Sequence, residues 1–300
     1  MRIAITGGTG FVGRHLATRL AEAGHETVIL SRRTGSGLEV GAERLGQALR
    51  DCDAVVHCAG INREIGEQTY DAVHVRGTEA IVEAARAAGV RRIVMLSFLR
   101  ARPDGPTSYH RSKWAAEERV RASGLTWTIL KAGVIHGRGD HMLDHLSHAF
   151  HTFPIFGLVG LHDQAVRPVA VDDVTRLLAA AALGDARLAD RTIAVLGPET
   201  MPLGQAVRRV AGVVGRRPLF VRLPVALHLG IALLAEATMR VPLISIAQVR
   251  ILAEGVVEAA PSAEPPPDDL APSIPFSDAV IRQGLPDPGG FGLSDLRCAT

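Results

Sequence analysis

Three residues in the middle of the sequence could carry proton-transfer chemistry. Tyr109 and Lys113 stand four residues apart, which puts both side chains on one face of a helix. An ammonium beside a phenol favours the phenolate, so we expect Lys113 to lower the pKa of Tyr109 from its usual value of about 10. Tyr109 could then exchange a proton with a substrate hydroxyl or carbonyl, while Ser97 hydrogen-bonds the same oxygen. The alternative is an ordinary surface helix that carries a tyrosine and a lysine.

A glycine-rich turn lies near the start of the chain. Gly7, Gly10 and Gly13 are spaced G-x-x-G-x-x-G, after a strand-like run and before a helical one. A dinucleotide needs one glycine for the tight turn, one for close approach to the pyrophosphate and one for packing of helix on strand. The helix that begins with Phe11 and Val12 would direct its N-terminus at the anion. These five residues predict a nucleotide-binding turn.

The residues after the second predicted strand bear on which dinucleotide binds. A carboxylate there would bind the ribose 2′-hydroxyl, whereas an arginine would pair with a 2′-phosphate. The chain has Ser31, Arg32 and Arg33 at this point and no carboxylate. We therefore expect these residues to bind NADP(H) in preference to NAD(H), with solvated loop charges as the alternative.

The elements that must position these residues alternate along the first two thirds of the chain. Apolar, β-branched runs predict strands at 2–6, 26–31, 54–58, 92–96, 126–131 and 192–195. Amphipathic runs predict helices at 11–23, 73–88, 107–123 and 171–183. Buried strands that alternate with helices indicate a parallel sheet covered on both faces. The fold class is thus α/β, with a Rossmann-type doubly wound sheet.

The pattern becomes mostly helical after about residue 200. Helices are predicted at 203–214, 225–239 and 244–254, and the proline-rich stretch 260–275 predicts no regular structure. We assign 1–200 to the NAD(P)-binding domain, with 136–160 as a loop that lines the cleft. We assign 201–300 to a smaller C-terminal substrate lobe and tail.

Composition excludes several other classes of protein. The 300 residues are 47% hydrophobic and 21% charged, which is typical of a globular chain. A net charge of +2 without a basic run argues against nucleic acid as a partner. Three cysteines, Cys52, Cys58 and Cys298, are too few for a disulfide framework or a zinc site. With no leader-like start, and an apolar run at 225–239 short of the ~20 residues of a span, we expect a cytoplasmic protein.

Histidines cluster after residue 139. His141, His145 and His148 would share a helix face, with Asp144 and His151 nearby. Neutral imidazoles at this spacing could bind a metal, but a solvated or cleft-lining face explains the same pattern. We therefore predict no metal.

Together these motifs resemble the short-chain dehydrogenase/reductase superfamily, in its extended, epimerase/dehydratase-like branch. The resemblance rests on the glycine turn, Ser97, Tyr109 with Lys113, and three further stretches: 57–60 (His-Cys-Ala-Gly), 75–78 (Val-Arg-Gly-Thr) and 169–174 (Val-Ala-Val-Asp-Asp-Val). The stretches 196–199 and 223–224 resemble the subgroup similar to the 39 kDa accessory subunit of respiratory complex I. The resemblance implies a bound nicotinamide cofactor, lined also by Cys58, Ala59 and Gly60, and a C-terminal lobe that closes the substrate cleft.

Two single residues depart from the family pattern. His74 stands where many relatives carry asparagine, which puts in doubt any helix distortion or proton relay that the amide supports. Lys131 stands where relatives tend to have the arginine of Arg-Pro-Gly, so it keeps a charge near the cofactor without the forked geometry.

The connection after the second strand is also short. Only 32–53 separates it from the strand at 54, where relatives usually fit a helix, a strand and another helix. A minimal strand at 38–40 and a helix at 42–49 would leave one helix missing. The usual aspartate near the adenine is not evident, and Glu39 or Glu43 would be poor substitutes.

Three functions remain open from the sequence. The first is an NADP(H)-dependent oxidoreductase in which Tyr109 moves the proton and Lys113 holds the ribose. The second is an epimerase or dehydratase of a sugar nucleotide, whose second pyrophosphate would need basic residues such as Arg167, Arg208, Arg209, Arg216 and Arg217. The third is a non-catalytic NADP(H)-binding protein, which His74 favours. A small-molecule substrate is the expected partner, and a homodimer is compatible with the sequence.

Overall fold

A computed structural model of the chain describes residues 1–32, 42–239 and 244–292. Its strands are β1 (Arg2–Thr6), β2 (Glu26–Leu30), β3 (Ala54–His57), β4 (Arg92–Phe98), β5 (Thr126–Ala132), β6 (Ile135–His136), β7 (Ile155–Val159), β8 (Ala165–Val166), β9 (Val169–Ala170), β10 (Arg191–Val195), β11 (Met201–Pro202) and β12 (Leu219–Leu223). Its α-helices are α1 (Phe11–Glu22), α2 (Ala42–Ala48), α3 (Gly77–Ala87), α4 (Ser108–Arg121), α5 (His141–Thr152), α6 (Val171–Leu183), α7 (Leu203–Val214), α8 (Val225–Thr238), α9 (Ile246–Glu254) and α10 (Asp278–Gly284). A π-helix, Asp71–Arg76, leads directly into α3.

The main sheet has six parallel strands in the order β10-β5-β4-β3-β1-β2. The middle residues of β1 and β3 are fully buried, as expected for strands covered on both faces. This confirms the predicted doubly wound α/β class. The chain runs from β1 to β2 on one side and then crosses to β3 on the other, so the strand order reverses between β1 and β3. In such sheets, ligands bind beside the carboxyl ends of the strands at this reversal.

The described residues form two compact units. Unit 1 comprises Met1–Gly133, Val171–Leu196 and Glu258–Ser273, and it contains the six-stranded sheet. Unit 2 comprises Val134–Ala170, Gly197–Val257 and the described residues from Ile274 onward. Unit 2 contains the short strands that the sequence did not predict, including the parallel pair β7 and β12. Four of these strands have only two residues, and the five residues of β7 are apolar throughout, so alternation gives no signal.

Three segments test the finer predictions. The helix at 42–49 is present as α2, whereas 38–40 lies outside the described residues. The proline-rich stretch is more regular than predicted, because the Glu264 amide donates to the carbonyl of Thr192 while its own carbonyl accepts from Ala194, along the edge strand β10. Among the described residues, every helix is too short or too polar to span a bilayer.

Candidate active site

The glycine turn after β1 is shaped by close backbone packing. Gly7 has a φ of +66°, and a Cβ on it would lie 2.8 Å from the Ala59 backbone. A Cβ on Gly13 would lie 2.3 Å from the Gly7 carbonyl oxygen. The Gly7 amide donates to the Leu30 carbonyl at 3.0 Å, which holds the turn beside the end of β2. The turn, the loop after β3 and the end of β2 thus meet where the strand order reverses.

The N-terminus of α1 is open to an anion. Gly10 is the N-cap and offers no side-chain cap, and the first turn has no acidic residue. The first intrahelical bond runs from the Arg14 amide to the Gly10 carbonyl, at 3.0 Å. The amides of Phe11, Val12 and Gly13 therefore have no partner inside the helix, which suits the pyrophosphate of a dinucleotide.

The end of β2 carries one exposed arginine in the described residues. Ser31 is buried, whereas Arg32 is exposed to solvent. Arg33 lies outside the described residues. Because β2 pairs with β1 up to Leu30, the Arg32 side chain follows directly from the strand that flanks the glycine turn.

A neutral hydrogen-bonded network joins the glycine turn to the π-helix. Thr78 Oγ1 donates to the His74 carbonyl at 2.5 Å, so it accepts from His57 Nε2, at 3.0 Å. His57 Nδ1 is then left to accept from Thr6 Oγ1, at 2.7 Å. Thr6 Oγ1 in turn accepts from the Ala59 amide, at 3.3 Å. Burial lowers the pKa of His57 to about 3, which keeps the imidazole neutral.

His74 extends this network to the catalytic helix candidate α4. Its Nε2 accepts from the Ile61 amide at 3.1 Å, so its proton lies on Nδ1, which donates to Ser112 Oγ at 2.9 Å. Ser112 Oγ donates to the Tyr109 carbonyl at 3.0 Å. Burial lowers the pKa of His74 to about 2. The helix distortion that the sequence put in doubt is therefore present, as the π-helix, and an imidazole supports it. We call Thr6, His57, His74, Thr78 and Ser112 the neutral network.

Tyr109 is half-buried among aromatic rings at the start of α4. Its ring centroid lies 5.6 Å from that of Tyr70, 5.6 Å from that of His74 and 5.3 Å from that of Phe98. Burial raises its pKa well above the usual value, and the Tyr70 phenol adds to the shift. The expectation that this pKa is lowered is wrong, because burial disfavours the charged phenolate.

Lys113 lies one turn further along α4 and is buried. Its Nζ donates to the Leu96 carbonyl at 2.9 Å, at the carboxyl end of β4. Burial lowers the pKa of Lys113 to about 8, against the opposing charge of Glu117. At neutral pH both Tyr109 and Lys113 therefore carry their protons.

Ser97 and Lys131, both predicted in the site, lie in a buried charged cluster instead. Ser97 Oγ donates to Glu117 Oε1 at 2.5 Å. The fully buried Glu117 pairs with Lys131 Nζ at 3.2 Å and with Arg121 at 3.0 Å. Lys131 Nζ also donates to the Ala101 carbonyl at 2.8 Å. We call Ser97, Glu117, Arg121 and Lys131 the charged cluster.

Position along α4 distinguishes the two neighbours on β4. Phe98 contacts the Tyr109 ring at the start of α4, whereas Ser97 contacts Glu117, two turns further along the same helix. Lys131 is the register partner of Ser97 on β5, and paired residues share a face. Tyr109 and Lys113 are thus one turn apart on α4, and Ser97 and Lys131 are held by Glu117. The predicted roles of Ser97 toward substrate and of Lys131 toward the cofactor stay predictions.

The histidines of α5 lie in unit 2. His141 stacks on His145, with centroids 5.9 Å apart, and His145 stacks on Phe291, at 6.3 Å. His148 Nδ1 contacts the Asp144 carbonyl at 2.7 Å. These contacts are those of a stacked, partly exposed helix face.

Most of the basic residues proposed for a second pyrophosphate have partners within the chain. Arg167 donates to the Gly197 carbonyl at 2.8 Å and 3.1 Å, and Arg209 pairs with Glu199 at 3.3 Å. The Arg208 guanidinium lies over a phenyl ring at 5.5 Å. Three of the five arginines are thus engaged by the protein itself.

Sequence reasoning missed four residues that shape the site: His57, Tyr70, Thr78 and Glu117. His57 and Thr78 lay within quoted motifs but had no chemical role assigned. Glu117 follows Lys113 by four residues, so it shares the helix face of Tyr109 and Lys113. That spacing could have predicted a buried carboxylate.

Comparison with known proteins gives consistent matches. A family described as NAD(P)H-binding matches residues 7–144. The chain is 30% identical to a ceramide reductase of Caulobacter vibrioides, over 74% of this chain and 73% of that relative. It is 28% identical to the mitochondrial NADH dehydrogenase (ubiquinone) 1 alpha subcomplex subunit 9 of Mus musculus, over 72% of this chain and 64% of that protein. It matches only 25% of the length of three longer mycobacterial relatives.

A solved structure extends the likeness to most of the chain. The UDP-glucuronic acid 4-epimerase of Bacillus cereus, in complex with UDP-glucuronic acid and NAD, superimposes with a TM-score of 0.67. The match covers 95% of this chain and 98% of the epimerase at 16% identity. At that identity the likeness establishes the fold alone.

Proposed function

The chain belongs to the NAD(P)H-binding short-chain dehydrogenase/reductase superfamily, and from this premise we propose that it is an NADP(H)-dependent reductase of a carbonyl substrate. One observation carries the proposal: the Tyr109 phenol lies among aromatic rings on α4, one turn from Lys113, and its backbone is tied through His74 to the loop after β3. A phenol placed in this way is a proton donor.

The cofactor fits the residues at the end of β1. The uncapped amides of Phe11 and Val12 would bind the pyrophosphate. Gly7 and Gly13 permit the tight turn that presents these amides, since a Cβ on either would clash with the backbone. Arg32 would pair with a 2′-phosphate, which is the basis for NADP(H) over NAD(H). As the family resemblance implies, Lys113 would hold the ribose. The bound dinucleotide would supply the hydride that reduces the carbonyl carbon.

The protein residues supply the proton and exclude water. The raised pKa of Tyr109 keeps the phenol protonated at neutral pH, so it donates to the carbonyl oxygen as negative charge develops there. The rings of Tyr70, His74 and Phe98 limit access of water to the phenol. Residues after 200 would select the substrate. The thiols of Cys52 and Cys58 are free, which suits a cytoplasmic protein.

The two alternatives have less support. An epimerase or dehydratase of sugar nucleotides would need a second basic pocket, and Arg167, Arg208 and Arg209 are engaged elsewhere. A non-catalytic protein was favoured by the loss of asparagine at position 74. The imidazole of His74 makes one bond as acceptor and one as donor, so the substitution leaves the helix distortion in place.

Tyr109→Phe tests the proposal directly. NADPH oxidation is measured with a panel of ketones and aldehydes, and NADPH binding by fluorescence. We expect unchanged NADPH affinity and a turnover lower by roughly 100-fold or more, since only the donated proton is lost. Tyr70→Phe is the comparison, because it removes a phenol hydroxyl from the same aromatic cluster, one that donates to the Asn62 carbonyl, and we expect it to lower turnover far less. Full activity of Tyr109→Phe, or NADPH binding without turnover of any carbonyl in the parent, would overturn the proposal.

A further inference from the structure

Unit 2 exposes a large apolar surface. On α8 the exposed fractions are 50% for Leu227, 40% for Ile231, 62% for Leu233 and 65% for Leu234. On the neighbouring strands β7 and β12 three further apolar side chains are exposed: Ile155, Leu219 and Val221. We call these seven residues the apolar face. Exposed leucines are unremarkable one at a time, but a contiguous group marks a binding surface.

The helix α8 contributes an outward side with no ionisable group. Its inward side buries His228, Ala232 and Ala235. The exposed positions of α8 are Ala226, Leu227, Gly230, Ile231, Leu233, Leu234, Ala237 and Thr238. The one hydroxyl among them, on Thr238, donates to the Leu234 carbonyl at 2.8 Å. The outward side therefore has no unsatisfied side-chain group to offer a protein partner.

The strands continue the same surface. Leu219 is the register partner of Ile155, and Val221 that of Gly157, so these side chains share one face of the β7–β12 pair. α8 covers the far end of that face, where a Cβ on Gly157 would lie 3.3 Å from His228 Nε2. The near end, with Ile155, Leu219 and Val221, stays exposed beside the helix.

Positive charge borders the apolar face. A left-handed Gly215 ends α7, and the Arg216 amide bonds back to the Ala211 carbonyl at 3.0 Å. Arg216 and Arg217 follow at once and are exposed, three and two residues before Leu219. Neither guanidinium has an ion-pair partner within the described part of the chain.

We propose that the apolar face binds the surface of an anionic lipid bilayer. An apolar helix face without hydrogen-bonding groups suits acyl chains, which need no polar partner. Arg216 and Arg217 would contact anionic headgroups at its border. With 14 residues α8 is too short to span a bilayer, so it would lie in the plane of the interface. This role is separate from the proposed reductase activity.

Vesicle co-sedimentation of the full chain tests the proposal. Vesicles of phosphatidylcholine are compared with vesicles that also contain phosphatidylglycerol. We expect the parent to sediment with the anionic vesicles, and less so as salt is raised. Leu233→Ser with Leu234→Ser should weaken binding by roughly tenfold or more, through lost apolar burial. Arg216→Ala with Arg217→Ala should remove most of the preference for the anionic vesicles.

Controls separate lipid binding from other causes. Ile65→Ser with Leu183→Ser removes two exposed apolar side chains of unit 1 and should bind vesicles as the parent does. Circular dichroism reports whether each variant folds, and Leu227→Ser replaces the double variant if that one does not. A parent that stays in the supernatant with both vesicle types overturns the proposal. So does a concentration-dependent dimer that the leucine substitutions abolish, since a second copy would then cover the face.

Discussion

Unit 1 holds two polar groups of opposite character, and both contact α4. The neutral network is built from hydroxyls and two uncharged histidines, and each of its hydrogen bonds has an assigned donor and acceptor. The charged cluster holds a carboxylate that no solvent reaches, between Lys131 and Arg121. The neutral network touches the loops that would bind the cofactor, whereas the charged cluster ties α4 to β5. We infer that the first positions the chemistry and the second stabilises the fold.

The difference shows that motif position and chemical role can separate. Ser97 and Lys131 stand at family positions of the site, yet both serve the charged cluster. His74 stands at a position where the family pattern is lost, yet it completes the neutral network. The side chains that a residue contacts in the fold decide its role.

Removing the carboxylate of the charged cluster should have the largest effect. Glu117→Gln leaves the buried Lys131 without its counter-charge, so the free energy of unfolding should fall by about 3 to 5 kcal/mol. Urea denaturation measures the change. Glu118→Gln is the control, since Glu118 pairs with the same Arg121 at 2.5 Å but is exposed, and it should cost under about 1 kcal/mol. Equal losses for both variants would contradict a structural role for the cluster.

Acidification should lower the free energy of unfolding through the two histidines of the neutral network, and each histidine should contribute less than the loss expected for Glu117→Gln. His57 and His74 have folded pKa values of about 3 and about 2, below the 6.5 of an unfolded histidine. Between these values the unfolded chain binds protons that the folded chain does not, so stability falls as pH is lowered below 6.5. From pH 7 to pH 5 each histidine should cost about 2 kcal/mol.

Urea titrations at both pH values, on the parent and on His74→Asn, isolate one histidine. The variant should lose less stability on acidification than the parent, whereas His162→Asn, at an exposed position, should behave as the parent does. A parent and a His74→Asn variant with the same pH dependence would show that His74 is not held neutral.

Much of the fold could be predicted from the sequence, because periodicity reports burial directly. All six strands of the main sheet and the helices α1, α4, α6 and α7 lie within a few residues of their predicted bounds. The glycine turn could be predicted because its geometry leaves no room for a Cβ at Gly7 and Gly13, so the requirement for glycine is visible in the sequence. The partner of Ser97, the raised pKa of Tyr109 and the tautomer of His74 could not be predicted, since each depends on neighbours brought from distant parts of the chain.

Replacing Arg32, at the end of β2, should have a smaller effect, on the preference for NADPH over NADH. Arg32→Ala should lower the affinity for NADPH by about 1 to 3 kcal/mol and leave that for NADH nearly unchanged, since only NADPH carries the 2′-phosphate. Dissociation constants of both cofactors are compared with those of Arg91→Ala, an exposed arginine at the opposite ends of the strands. Equal affinities of the parent for NADPH and NADH would contradict the assignment.

The division of labour between the neutral network and the charged cluster is tested most directly by the turnover number of Ser97→Ala. The variant removes the hydroxyl that donates to Glu117. We expect the free energy of unfolding to fall by about 1 to 3 kcal/mol and the turnover number to stay within about twofold of the parent. A turnover reduced by roughly 100-fold with stability unchanged would place Ser97 beside the substrate oxygen, and would contradict the account.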